Sequence, residues 1–446
     1  MNEVRQMVRK RFILVRLLPV LALVSALTSA SASESKKPNI ILIMADDLGA
    51  EGLGCYGSSV YTSPNLDRMA TEGAMFENAY STPLCTPTRV MIMSGQYPNR
   101  TGFTALISRS DDSARMPKAL KTIGNYFQKN NYRTAIAGKW QLGKFDVFPN
   151  QPAEHGFDQY CMWKWHFQGS KASRYYSPGI WQDGESNDGG REVFGPDVYT
   201  DYLLDFIEAS GEQPYFIYFP MALVHSPFIV PPALKEKASA NFHDGMDKTE
   251  KNFGHMITYM DMLVGMIVDK VAETGQAENT LIVFTADNGS PKPITSRLGN
   301  LEIPGGKGSM TEAGTRVPLI AYWPGKISAG KRDALFSLAD ILPTLTSIAG
   351  IECEEVDGMD LSHNLLNQKG TDRDHVFVYF KKNAFVRDHR FRLNEAGKLF
   401  DIPVSSDKSR YREKQSTDPG HQSHKDRLQK ILDGYLAIPP MEFVKK

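Results

Sequence analysis

Cysteine is scarce in this chain of 446 residues, which holds only Cys55, Cys85, Cys161 and Cys353. No Cys-x-x-Cys pair or His-rich cluster is present, so no zinc module is indicated, and four thiols are too few for a disulfide scaffold. Excess charge is missing as well. Lys+Arg and Asp+Glu both number 51, so no global field favours nucleic acid or an acidic surface, and any recognition of charge has to be local. Internal repeats and long low-complexity stretches are also lacking. What remains is a chain long enough for one large globular domain and a smaller one.

The sequence lacks a comfortable membrane span too. Arg5, Arg9, Lys10 and Arg11 precede an apolar run over residues 17–27, and Ala30-Ser31-Ala32 offers a small-residue cleavage site. That run is too short, and Arg16 and Pro19 interrupt the region, so an uncleaved anchor is the weaker alternative. Residues 1–32 are expected to be a secretory signal cut after Ala32. The mature protein would be secreted or periplasmic, with no stable membrane insertion after cleavage. No cysteine near the cut suggests lipid attachment.

Asn39-Ile40-Ile41-Leu42-Ile43-Met44-Ala45 is apolar without alternation, the pattern of a strand covered on both faces, and it ends at Asp46-Asp47. Leu281-Ile282-Val283-Phe284-Thr285-Ala286 repeats the design before Asp287-Asn288, and Pro214-Tyr215-Phe216-Ile217-Tyr218-Phe219 leads to His225. Helical segments over residues 65–72, 120–130, 196–209 and 252–274 intervene. The alternation predicts an α/β fold with a large, mostly parallel sheet flanked by helices, and ligands in such sheets bind beyond the carboxyl ends of the strands. Short strand-like pieces at 375–380, 384–387, 391–393 and 398–401, then a helix near 424–435, predict a smaller C-terminal α+β subdomain with an antiparallel sheet. The expected division is 33–370 for the main domain and 371–446 for the small one.

The most informative stretch is Leu84-Cys85-Thr86-Pro87-Thr88-Arg89. Thr86 is expected to cap a helix, with Pro87 in its first turn and Gly95 closing it, which puts Cys85 just ahead of an N-terminus suited to an anion. Arg89, four residues on, shares that face and offers a planar donor fork. One account is a buried cysteine beside a solvated arginine. Another is a thiolate nucleophile with a lowered pKa, although the cysteine phosphatases place five residues between Cys and Arg rather than three. A third is the C-x-P-x-R motif of the sulfatases.

Asp46, Asp47, Asp287 and Asn288 offer only oxygen ligands at two strand ends, a set suited to calcium or magnesium rather than zinc or copper. An acidic pair at one strand end is by itself usually a turn or helix cap. Lys139 lies in Gly138-Lys139-Trp140-Gln141-Leu142-Gly143, and Lys307 in Gly305-Gly306-Lys307-Gly308. Each lysine alone would be merely solvated, but together with Arg89 they could surround a tetrahedral dianion next to a metal.

From Pro38 to Asp401 the chain resembles the type I, formylglycine-dependent sulfatases of the alkaline phosphatase superfamily. The resemblance runs through Asp46-Asp47, Ser63-Pro64-Asn65-Leu66-Asp67, the Cys85 motif, Gly138-Lys139-Trp140, His155-Gly156-Phe157-Asp158 and His225-Ser226-Pro227-Phe228. It continues through Thr285-Ala286-Asp287-Asn288-Gly289, Gly306-Lys307-Gly308, Glu312-Ala313-Gly314-Thr315-Arg316-Val317-Pro318 and Trp323-Pro324-Gly325. The resemblance implies that a formylglycine-generating or sulfatase-maturating enzyme oxidises Cys85 to formylglycine before export. It also implies one calcium ion held by Asp46, Asp47, Asp287, Asn288 and the modified Cys85. Arg89 would support the aldehyde hydrate, Lys139 and Lys307 would hold sulfate oxygens, and His225 would protonate the leaving alcohol. One hydroxyl of the hydrate would attack sulfur, and loss of sulfate would regenerate the aldehyde.

Gln141 departs from the pattern, because sulfatases commonly place a histidine there to take the proton of the second hydroxyl. An amide donates and accepts hydrogen bonds but is no base near neutral pH, so Gln141 is expected to position substrate. Aromatic residues among polar ones, from Trp163 through Tyr175-Tyr176 to Trp181, suit sugar faces or an insertion packed by its own rings. The expected substrate is a sulfated carbohydrate. The rival readings are a phosphodiesterase or phosphonate monoester hydrolase of the same superfamily, and a catalytically impaired glycan-binding relative.

Overall fold

The computed structural model describes residues 36–237, 245–402 and 408–444, so the expected signal over 1–32 lies outside the described residues. The apolar runs form the centre of an 11-stranded mixed sheet. Thr280–Ala286, Asn39–Ala45, Tyr215–Pro220, Arg133–Lys139 and Gln159–Trp163 lie side by side in that order, each parallel to its neighbours. The first three are buried at every residue, which is why they read as continuous rather than alternating apolar runs.

Antiparallel strands extend both margins. Leu319–Tyr322 pairs with Thr280–Ala286 and with Ala74–Tyr80, and Ile180–Gln182 pairs with Gln159–Trp163. The expected parallel arrangement therefore describes the sheet's centre, antiparallel pairs flank it, and Gly330–Ser337 lies parallel to Ala74–Tyr80 beyond them. Gly330–Ser337 alternates at its exposed start and Ile180–Gln182 has only 3 residues, so neither yields the run by which a buried strand is read.

The four expected helices are Pro64–Glu72, Ile123–Lys129, Gly195–Ser210 and Lys248–Glu273. Lys248–Glu273 begins earlier than its apolar spacing indicates because a capping box starts it. The Asp247 carboxylate accepts from the Glu250 amide at 2.9 Å, and Glu250 accepts from the Asp247 amide at 3.3 Å. Among the described residues no helix is long and apolar enough to cross a membrane.

In the C-terminal region Val376–Phe380, Asn383–Arg387, Phe391–Asn394, Leu399–Asp401 and Lys414–Gln415 form the expected antiparallel sheet. Helix Gln422–Ala437 packs on it through the fully buried Leu428 and Leu432. Tyr435 stacks on Phe377 at 4.5 Å, and Tyr97 meets both rings edge-on. Arg387 of this sheet reaches Glu312 at 3.1 Å in a fully buried ion pair. Removing one partner of such a pair costs about 3–5 kcal/mol, since the other is left charged and unpaired.

His155 is fully buried 5.8 Å from the Trp140 ring, and its carbonyl accepts from the Thr122 hydroxyl at 2.8 Å. Burial pushes its pKa down to about 4. A depressed histidine contributes stability that is complete above the unfolded value near 6.5 and is lost as pH falls toward about 4. Chemical denaturation of the wild type and of His155→Phe at pH 7.5 and pH 4.5 should show the variant losing less stability on acidification, by about 2–3 kcal/mol. Equal losses would mean that His155 is not buried as a neutral ring.

Candidate active site

Register fixes the site. Ala45 pairs with Ala286 in parallel strands, so the next residues, Asp46 and Asp287, leave the sheet side by side. The Asp287 amide donates to the Ala45 carbonyl at 3.0 Å, and the Asp47 amide donates to the Asp287 carboxylate at 3.0 Å. Asp47 takes a left-handed backbone, φ 68°, which aspartate tolerates better than most residues. Asn288 Nδ2 donates to Asp47 Oδ1 at 2.9 Å and to the Gly289 carbonyl at 3.0 Å. All four of these polar side chains are buried.

Cations from separate parts of the chain close on this carboxylate group. Lys139 ends the Arg133–Lys139 strand, and its Nζ donates to both oxygens of Asp46 at 2.8 Å. Its neighbour Gly138 has φ 118°, and a Cβ there would sit 2.2 Å from the Pro220 carbonyl oxygen, so only glycine allows this approach. Arg89 donates to Asp287 at 2.7 Å and to the Lys139 carbonyl at 3.0 Å. Lys307 Nζ lies 2.5 and 2.6 Å from the two oxygens of Asp47. His225 Nε2 is 3.6 Å from Asp47, and its Nδ1 is 2.8 Å from the Ser226 carbonyl. Tyr175 supports the loop beneath by donating to the His225 and Ala222 carbonyls at 2.5 and 2.9 Å.

Charge follows from this packing. Burial opposes ionisation of Asp46, yet Lys139, His225, Arg89 and Arg174 hold its carboxyl well below the usual range. Burial and the adjacent Asp46 raise Asp287 against the pull of Arg89 and Lys139. Burial pushes His225 down to about 4 despite Asp46 and Asp47, so its ring is neutral near pH 7 until another anion arrives beside it. Burial also opposes the charge of Lys307, but Asp47 outweighs it and the ammonium is retained.

Cys85 is buried and is the first residue of helix Cys85–Ser94, which Gly95 closes in a left-handed conformation. The expectation that Thr86 caps the helix is corrected, because Leu84 stands at the cap and no side chain bonds there. Thr86 Oγ1 instead accepts from the Ile107 amide at 3.4 Å. The preceding turn is held by Thr82 and Thr88, whose hydroxyls lie 2.7 Å apart, with Thr88 Oγ1 accepting from the Thr82 amide at 3.1 Å. Cys85 thus opens the helix rather than preceding it. Burial pushes its thiol up, with Lys139 opposing, which disfavours the lowered-pKa thiolate. Arg89 shares its face as expected, but its fork is engaged by Asp287 and the Lys139 carbonyl.

The donor set fits a hard cation. Ligand atoms of Asp46, Asp47 and His225 lie within 4.8 Å of one another, and Asn288 Oδ1 is buried with no hydrogen-bond partner. An unpaired buried amide oxygen costs about 1–3 kcal/mol, and coordination to a divalent ion would satisfy it.

Gln141 follows Lys139 on a left-handed backbone, φ 52°, with its Oε1 buried and unpartnered. Most rings of the aromatic stretch are turned away from solvent, with Tyr176 half-buried. Trp163, Trp165, Tyr175 and Trp181 are buried, and Trp181 stacks on Phe145 at 6.0 Å, so these rings pack the insertion rather than present sugar faces. Sequence reasoning passed over Arg174, which is buried, lies 4.2 Å over the Trp163 ring and donates to Asp46 at 3.3 Å. An arginine among aromatics in that stretch was the available signal.

Residues 38–351 match the sulfatase family profile. The chain is 31% identical to human arylsulfatase A over 378 residues, covering 79% of this chain and 72% of that one. It is 28% identical to N-acetylgalactosamine-6-O-sulfatase of Bacteroides thetaiotaomicron over 442 residues, covering 81% and 84%. The crystal structure of Ps i-CgsB in complex with k-i-k-neocarrahexaose superposes with a TM-score of 0.77 at 25% identity, covering 90% of this chain and 92% of that one. The chain belongs to the type I sulfatase family of the alkaline phosphatase superfamily and is a sulfuric ester hydrolase.

Proposed function

We propose that this protein is an exported carbohydrate sulfatase that uses formylglycine derived from Cys85 and one calcium ion. The observation that carries the reading is the meeting of Cys85 and Arg89 at one helix start with the buried Asp46, Asp47, Asp287 and Asn288 oxygens. The naming of a relative as an N-acetylgalactosamine-6-O-sulfatase, and the k-i-k-neocarrahexaose bound to a structural neighbour, support a glycan substrate. The basic and apolar start of the chain supports export to the periplasm or beyond, and Cys85 in its motif supports recognition by a formylglycine-generating or sulfatase-maturating enzyme.

The carboxylates of Asp46, Asp47 and Asp287 with Asn288 Oδ1 would hold the ion, and a bound calcium would supply positive charge to the reacting centre. Lys139 and Lys307 Nζ groups stand where they can exchange a carboxylate contact for a sulfate oxygen as charge develops on the ester. The arriving sulfate raises the pKa of His225, whose Nε2 then carries the proton to the leaving oxygen. Arg89 opposes the upward push that burial and Asp46 exert on the Asp287 carboxyl, and it ties the Cys85 helix to the Lys139 carbonyl. The free Oε1 of Gln141 orients the second hydroxyl by accepting its hydrogen bond without removing the proton.

Matched sulfate and phosphate monoesters and diesters of 4-nitrophenol test the reaction class. The sulfate ester should turn over with kcat/KM at least about 100-fold above either phosphate, a difference of roughly 2.7 kcal/mol. The reverse preference would establish the phosphoester reading. Dialysis against a chelator should lower both Tm and sulfatase activity, and calcium should restore both, with the Tm gain smaller in Asn288→Leu. A chelated protein with unchanged Tm and activity would contradict the metal assignment. Gln141→Ala should reduce kcat about 10–100-fold with little change in KM, as expected for a group that orients one reacting hydroxyl. Unchanged kcat and KM would remove Gln141 from the reaction.

A further inference from the structure

A set of cations beside the catalytic pocket lacks acidic partners among the described residues. Arg109 and Lys171 are exposed and form no ion pair, whereas nearby Lys144 is matched by Asp112 at 2.5 Å. His166 Nε2 is buried and without a hydrogen-bond partner.

Separate tethers hold these residues at the pocket. The Ile107 amide donates to Thr86 Oγ1 at 3.4 Å, which places Arg109 two residues from a bond to the helix that starts at Cys85. His166 and Lys171 are directly opposed across a short hairpin, His166–Phe167 against Ser170–Lys171. Gln168 and Gly169, with φ 49° and 77°, supply the two left-handed residues that such a two-residue turn requires. The hairpin is fastened at its tip by the Gln168 amide donating to Asp146 at 2.5 Å and at its base by the Ala172 amide donating to the Trp165 carbonyl at 2.9 Å. Three residues past Lys171, Arg174 lies on Asp46 at 3.3 Å.

This arrangement concentrates positive charge without relief. Burial lowers the pKa of His166, and Arg109, Lys144 and Lys171 lower it further. Burial lowers Lys171 as well, with Arg174 and Arg109 adding to the effect. Lys171 therefore faces an imidazole kept neutral, and an anion placed between them would pair the ammonium and accept from the ring. Positions that deplete stability in a functional mouth are explained by the ligand that completes them.

We propose that Arg109, His166 and Lys171 form a second anion subsite, which holds a further charged group on the glycan whose sulfate ester faces Cys85. The inference rests on the carbohydrate-sulfatase reading and adds to it that the substrate bears at least two anionic groups, the second being a sulfate ester or a carboxylate. Both are oxyanions that accept from guanidinium, ammonium and imidazole donors.

The test compares tetrasaccharides with one sulfate, with two sulfates, and with one sulfate and one uronate carboxylate, for the wild type and Arg109→Gln/Lys171→Gln. The wild type should prefer a doubly charged substrate, and the ratio of its kcat/KM to that of the singly sulfated one should fall about tenfold in the variant. Preference for the disulfated chain or for the uronate chain identifies the second group. The Kd of each tetrasaccharide, measured calorimetrically on the same proteins, gives a readout independent of turnover. Equal ratios in wild type and variant, or equal affinities for all three chains, would overturn the subsite. Absence of sulfate release from every ester, with binding still dependent on Arg109 and Lys171, would overturn the sulfatase reading and retain the subsite.

Discussion

The contact of Lys139 with both oxygens of Asp46, at 2.8 Å and out of reach of water, is the interaction on which the site depends. Two buried charges in so dry a place are costly unless each is fully matched, and removal of either would leave the other stranded at about 3–5 kcal/mol. The match is extended by Arg89, which joins Asp287 to the Lys139 carbonyl, and by Arg174, which reaches Asp46 from the far insertion. The result is a preorganised set of charges held in place before substrate arrives, the condition under which electrostatic stabilisation of a transition state is most effective.

Sheet register brings that network together. Parallel strands end at one edge, so Asp46, Asp287, Lys139 and the loop carrying His225 converge although they are far apart in sequence. The helix that starts at Cys85 then presents its first residue to this edge, with the Thr82–Thr88 contact fixing the turn that leads into it. Activation by a lowered thiol pKa is opposed by the burial of Cys85, so use as a thiolate is disfavoured.

Much of this was legible in the residues. Uninterrupted apolar runs ending in Asp46-Asp47 and Asp287-Asn288 announce buried strands with oxygen ligands at their ends, because burial on both faces removes alternation and leaves polar residues only where the strand stops. The Thr86 cap was misread because a threonine hydroxyl ahead of a proline has local and distant partners alike, and the distant one, the Ile107 amide, engages it. Arg174 carried only the weak signal of an arginine among aromatics, because its partner, Asp46, is 128 residues away and no spacing connects them. The aromatic stretch misled for a related reason, since rings that suit a sugar also suit a core, and here Trp163 and Trp181 pack inward.

Mass spectrometry of the peptide containing Cys85, from protein purified in a host that matures sulfatases and assayed for sulfate release in parallel, tests the central claim most directly. The account predicts that active protein carries formylglycine at position 85 and that activity scales with the modified fraction. Full activity from protein bearing only the unmodified thiol would contradict it.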